Sequence, residues 1–147
     1  MSIHSQIQGN ITKTYIIMSA FVVFVVLVSY VLGVSLGYGT SWMWIAVLFS
    51  VASSFVSYYW GDKMVLAMSG AKPANRKLHF DFFTVAENLS IAAGLPKPKL
   101  YVIDDTAMNA FATGRDPVHA VVCATTGILA KLERRELEGV IAHELSH

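Results

Sequence analysis

Cysteine is nearly absent: Cys123 is the only one among 147 residues, so no internal disulfide can form and a disulfide-stapled secreted fold is excluded. Proline (4) and glycine (10) are too sparse for a collagenous or proline-rich chain. Charge is scarce as well. Charged residues make up 14% of the chain, against about 25% in an ordinary soluble domain, and the net charge is only +1. That balance excludes a nucleic-acid binder or a disordered polar tail as a description of the whole. No internal repeat or low-complexity segment is present. Cys123 sits among Ala120, Val121, Val122 and Ala124, which reads as a buried strand, with the thiol a small core residue.

The missing charge is concentrated. Between Lys13 and Asp62 lie 48 positions without Asp, Glu, Lys, Arg or His. All 21 charged residues therefore fall on the other 99, which are close to soluble composition. A membrane span needs about 20 mainly apolar residues. Tyr15 to Leu32 supplies one such run and Trp42 to Trp60 another, joined by the turn-rich stretch Gly33 to Ser41. Tyr15, Tyr30, Trp42, Trp44, Tyr58, Tyr59 and Trp60 cluster near the ends, where interface anchors sit. A signal peptide has a shorter apolar core of 7–15 residues. The expectation is a transmembrane helical hairpin over 14–62, in contact with the lipid bilayer.

Lys13 precedes the first span, and Lys63, Lys72, Arg76 and Lys77 follow the second, while the connecting loop carries no positive charge. The positive-inside rule then places residues 1–13 and everything after Asp62 in the cytoplasm. Ser50, Ser53, Ser54 and Ser57, with Ala46 and Gly61, recur at near-helical spacing and suit close helix packing. A polar substrate path is the weaker alternative.

After Asp62 the pattern is soluble. An amphipathic helix is expected from Arg76, through Leu78, Phe82, Val85, Leu89 and Ala92, stopped by Gly94 and Pro96. Lys99–Ile103, Asn109–Thr113 and His119–Thr125 read as short strands, the last two separated by Gly114-Arg115-Asp116-Pro117. Thr126–Lys131 reads as a short helix. A final helix starts near Glu133, with Leu137, Val140 and Ile141 on one stripe and Leu145 at its edge. Glu133-Arg134-Arg135-Glu136 imitates a capping box. Gly139, inside that helix, implies close packing of another backbone.

That helix ends in His143-Glu144-Leu145-Ser146-His147, an H-E-x-x-H sequence. Four residues turn a helix by 400°, so the two imidazoles lie about 40° apart and about 6 Å along the axis. Both can then reach one zinc ion at about 2.0–2.1 Å. Glu144 projects about 100° from His143 and can address a zinc-activated water as general base. A catalytic zinc takes three protein ligands plus water. Glu136, about 10 Å up the axis, is too far to be the third. His79, His119, Asp104 and Asp105 have no diagnostic spacing, and for the two histidines surface or packing roles are favoured.

These residues resemble the HtpX-type membrane zinc metalloproteases, related to the CAAX prenyl endopeptidases. The resemblance runs along essentially the whole chain: the hairpin, Ala93-Gly94-Leu95-Pro96 followed by Leu100-Tyr101-Val102-Ile103, Asn109 through Arg115, Thr125 through Leu129, and Glu136 through His147. It implies an α+β membrane protein in which the hairpin precedes the start of a zincin-like domain at 63–147, mainly helical with a small sheet. It implies an inner-membrane endopeptidase with a cytoplasmic active site. Its substrates would be misfolded or damaged membrane proteins, its setting stress response and protein quality control. His143 and His147 match the family's zinc ligands and Glu144 its catalytic acid/base, while the third ligand is a Glu on a later helix. The chain would then be the front part of a longer enzyme, inactive by itself. The competing reading is a membrane-anchored scaffold or inactive homologue whose histidines carry no metal.

Overall fold

In the computed structural model, residues 3–38 and 41–146 are described. The chain divides into two compact units, Met1–Trp60 and Gly61–His147.

The first unit contains α1 (Ile3–Ser35) and most of α2 (Ser41–Met68). Residues 7–35 and 41–68 are each long and apolar enough to cross a membrane, and only 6% and 11% of their apolar windows are buried. A core helix of a soluble domain would be covered by its own chain; these are apolar all round and bare. α1 extends well before Tyr15. The hydroxyls of Thr12 and Thr14 donate to the carbonyls of Gln8 and Asn10, so the polar approach continues the helical ladder. Ala46 and Ser50 of α2 are buried, Ser53 and Ser54 half-buried, and Ser57 exposed. Ser50 and Ser53 donate to carbonyls three residues back in their own helix. Their polarity is thus consumed locally, which favours packing over a polar path.

The second unit is a four-stranded sheet of order β1-β2-β4-β3 with helices packed on it. β2 (Lys99–Ile103) and β4 (Val121–Thr125) pair in parallel. β1 (Lys72–Pro73) and β3 (Ala110–Thr113) are antiparallel edges. β4 is buried at all five positions, as the continuous apolar run of a central strand requires. One core joins Phe82, Val85 and Ala86 of α3 (Phe80–Ala93), Leu100, Val102, Val122 and Ala124 of the sheet, Ile128 of α4 (Thr126–Lys131), and Leu137 and Ile141 of α5 (Arg134–Ser146). A smaller cluster gathers Leu66, Val121 and Cys123.

α3 ends where Gly94 takes a left-handed conformation (φ 65°). The N–H groups of Gly94 and Leu95 close back on the carbonyls of Ile91 and Ser90. It begins at Phe80 instead of Arg76 because Asn75 competes with the helix. The Asn75 side chain accepts from the Lys77 N–H (2.9 Å), and its carbonyl accepts from Leu78 and His79. Leu78 is consequently off the core face and 77% exposed. His119 likewise leaves the strand for a 3-10 turn, Pro117–His119, because the Asp116 carboxylate captures its N–H.

Candidate active site

α5 opens with half of the expected capping box: the Glu136 carboxylate accepts the Glu133 N–H at 2.9 Å. Leu137 and Ile141 are buried, and Val140 and Leu145 pack at the edge of the same core. This pins the rotation of the helix about its axis. His143 comes out exposed, and Glu144 half-buried beside β3. The Ser146 hydroxyl donates to the His143 carbonyl (2.7 Å), satisfying one of the orphan carbonyls of the last turn.

Glu144 has a definite partner. Its Oε2 accepts the main-chain N–H of Ala112 at 3.0 Å. The register of the β3–β4 pair explains why that amide is available. Thr125 donates its N–H to the Asn109 carbonyl, so Asn109, Phe111 and Thr113 face β4 with their hydrogen-bonding groups. Ala110 and Ala112 turn theirs outward, along the open edge of the sheet. The Glu144 carboxylate therefore rests on the edge strand.

His147 lies outside the described residues. Among the described residues no group of three or more His, Cys, Asp or Glu comes together. His143 and Glu144 are neighbours on α5, but His79, His119, Asp104 and Asp105 form no ligand cluster with them. Asp105 accepts the Ala107 N–H in its own turn. The His119 Nδ1 lies against the Asp116 carboxylate (2.7 Å) and its Nε2 against Arg115 (2.8 Å). Partial burial works to raise the Asp116 carboxyl, but the His119 hydrogen bonds and the charges of His119 and Arg115 outweigh it and hold the group below its ordinary range. His79 lines a separate open cleft of about 370 Å³ with Leu129, Leu132 and Arg134. Of the described residues on α5, His143 presents an exposed imidazole, a donor type that zinc accepts, and the Glu144 carboxylate accepts a main-chain amide.

Two features of the site had no sequence signal strong enough to find them. One is the Ala112 amide, since every residue but proline carries one. The other is a clamp beneath β3. The Thr125 hydroxyl donates to the Ala107 carbonyl (2.6 Å) and accepts the N–H groups of Asn109 (3.1 Å) and Ile128 (3.3 Å). Thr126 bonds both the N–H and the carbonyl of Asp105. Thr125-Thr126-Gly127 thus caps α4 and anchors the loop that leads into β3. The close approach expected at Gly139 is not there: a Cβ on it would meet nothing within 4 Å, whereas one on Gly127 would lie 2.2 Å from the Thr106 carbonyl oxygen. Cys123 is fully buried, and burial pushes its thiol up to about 11, as a core residue and not a nucleophile.

Residues 75–147 match the model of Peptidase family M48. Over 138 residues the chain is 44% identical to the Protease HtpX homolog of Ralstonia pickettii (strain 12J). It is 39% identical to that of Thermoanaerobacter pseudethanolicus (strain ATCC 33223 / 39E) and 44% identical to that of Acidiphilium cryptum (strain JF-5). Each alignment takes in 94% of this chain and 46% of the relative, so the chain spans just under half the length of these curated relatives.

Proposed function

Since residues 75–147 belong to peptidase family M48 and the chain is of the HtpX type, we propose that it forms part of a membrane-bound, zinc-dependent endopeptidase. The observation that carries this reading is α5 with the first four residues of the H-E-x-x-H sequence at its end, His143 exposed and Glu144 seated on β3.

His143 and His147 would hold zinc through neutral ring nitrogens, and a catalytic zinc takes a third protein ligand beside them. Bound there, zinc supplies Lewis acidity and brings the pKa of a water to about 7. The Glu144 carboxylate receives a proton as water attacks the peptide carbonyl, then gives it to the departing amine nitrogen. The exposed edge of β3 keeps this carboxylate open to a peptide. α1 and α2 anchor the protein in the inner membrane. Their cationic flanks and the charge-free loop support a cytoplasmic side for the peptidase part. Misfolded or damaged membrane proteins are the substrates proposed for such an anchored peptidase, in a quality-control and stress-response role.

The test compares the full-length protein with its Glu144→Gln variant, for zinc content and for cleavage of a membrane-protein substrate. Zinc is retained and cleavage is lost, because Glu144 is a base and not a ligand. Normal cleavage by the variant overturns the mechanism, and absence of zinc from the full-length protein favours the non-catalytic scaffold.

A further inference from the structure

We propose that the main-chain amide of Ala112 is the positioning group for the Glu144 carboxylate, so that the edge strand and not a side chain sets where the base stands. The inference rests on the reading of Glu144 given above and deepens it. Three observations carry it. The Ala112 N–H meets Oε2 at 3.0 Å, a donor aimed at an ionisable oxygen. That N–H is free of the sheet, because the Ala112–Val122 pair is the wide, non-hydrogen-bonded kind. And β3 itself is fixed from below by Thr125, whose hydroxyl accepts the N–H of Asn109 and whose main-chain N–H donates to the Asn109 carbonyl, three residues before Ala112.

A main-chain donor suits this task physically. Among the ion pairs of the described residues none includes Glu144, so no cation of the described residues holds the carboxylate in place. A lysine or arginine there would neutralise the base and could swing away by a rotamer change. An amide in a clamped strand does neither: it orients one oxygen and leaves the other for the water. The side chain of residue 112 is not involved, and it is exposed. What matters at this position is the presence of an N–H.

The experiment uses the zinc-loaded full-length protein with Ala112→Pro, which deletes the donor at an edge position whose N–H no strand uses. Zinc stoichiometry and KM are expected to stay near wild type, while kcat falls by roughly ten- to a hundredfold, the scale of misplacing a catalytic group by about 1 Å. Ala112→Gly keeps the donor and recovers kcat relative to the proline variant. Wild-type turnover by Ala112→Pro overturns the proposal. A second measurement does not depend on turnover or on the proline variant folding: hydrogen–deuterium exchange resolved to single amides, comparing wild type with Glu144→Ala. The Ala112 amide is expected to lose protection in the variant while Phe111 and Thr113, bonded to β4, keep theirs. Unchanged exchange at Ala112 overturns the proposal. Normal cleavage by Glu144→Gln, with the exchange result intact, sinks the catalytic reading instead and leaves the contact standing.

Discussion

Gly127 faces Thr106 across the start of α4 at a distance that no side chain could occupy: a Cβ on Gly127 would stand 2.2 Å from the Thr106 carbonyl oxygen and 2.7 Å from that of Ala107. Both obstacles are backbone, so neither can rotate away. The Gly127 N–H bonds the Asp105 carbonyl at 2.8 Å, drawing the loop of residues 104–109 onto the helix. β3 follows directly from that loop.

Gly127→Ala should therefore cost at least about 1–3 kcal/mol, the range for overpacking a fixed core. Gly139→Ala is the matched control. It lies exposed in α5 with open space around its Cα, and the change should stabilise by up to about 1 kcal/mol through helix propensity. Urea midpoints of the two variants in detergent decide the matter, and equal shifts of the same sign would contradict it.

Thr125→Val keeps the shape but removes the hydroxyl that serves Ala107, Asn109 and Ile128. Loss of a helix cap together with newly unsatisfied groups in the loop should destabilise by about 2 kcal/mol. The amides of Asn109 and Ile128 should exchange faster, which hydrogen exchange reads directly.

The buried Cys123 thiol titrates from 9.0 up to about 11 because burial disfavours the thiolate. An unfolded chain ionises above pH 9 while the folded one does not, so stability is full below that pH and declines as pH rises from about 9 to about 11. Alkylation by iodoacetamide at pH 8 should be slow for the folded protein and fast in denaturant. Rapid labelling of the folded protein would refute the burial assignment.

Asp116 gives the opposite slope. Its carboxyl is held below the ordinary value of 3.8, so its contribution is present above that pH and is lost as pH falls through the folded value. Asp116→Asn should flatten the acid limb of the stability curve, measured by denaturant titration between about pH 5 and 2, and leave stability near pH 7 lowered.

Several elements were legible because local chemistry decides them. Lys99–Ile103 and Thr126–Lys131 appear with the boundaries expected, set by an apolar run and a Thr cap. Gly94 stops α3 because only glycine takes φ 65° without strain. The stripe on α5 follows from helical periodicity alone. Other elements escaped for equally physical reasons. β1 is two residues long and contains Pro73, so it has no pattern to detect, and it exists only because β2 offers an edge. Asn75 overrode the amphipathic pattern at Leu78 by a side-chain turn. Gly139 and Gly127 look alike in sequence, yet only tertiary packing distinguishes an open glycine from an obligatory one.

The long gap in charge by itself determined that two helices would be apolar enough for a bilayer, since the cost of a charge in hydrocarbon is paid residue by residue. The four-residue spacing of His143 and His147 by itself sets the expectation that both imidazoles share one helical face, since a helix turns 100° per residue. The tertiary structure alone decided where Glu144 rests. Its partner is a main-chain N–H 32 positions earlier, and an amide carries no residue-type signature. Only the register of β3 against β4 turns that amide outward, and only the packing of Leu137 and Ile141 turns Glu144 to meet it.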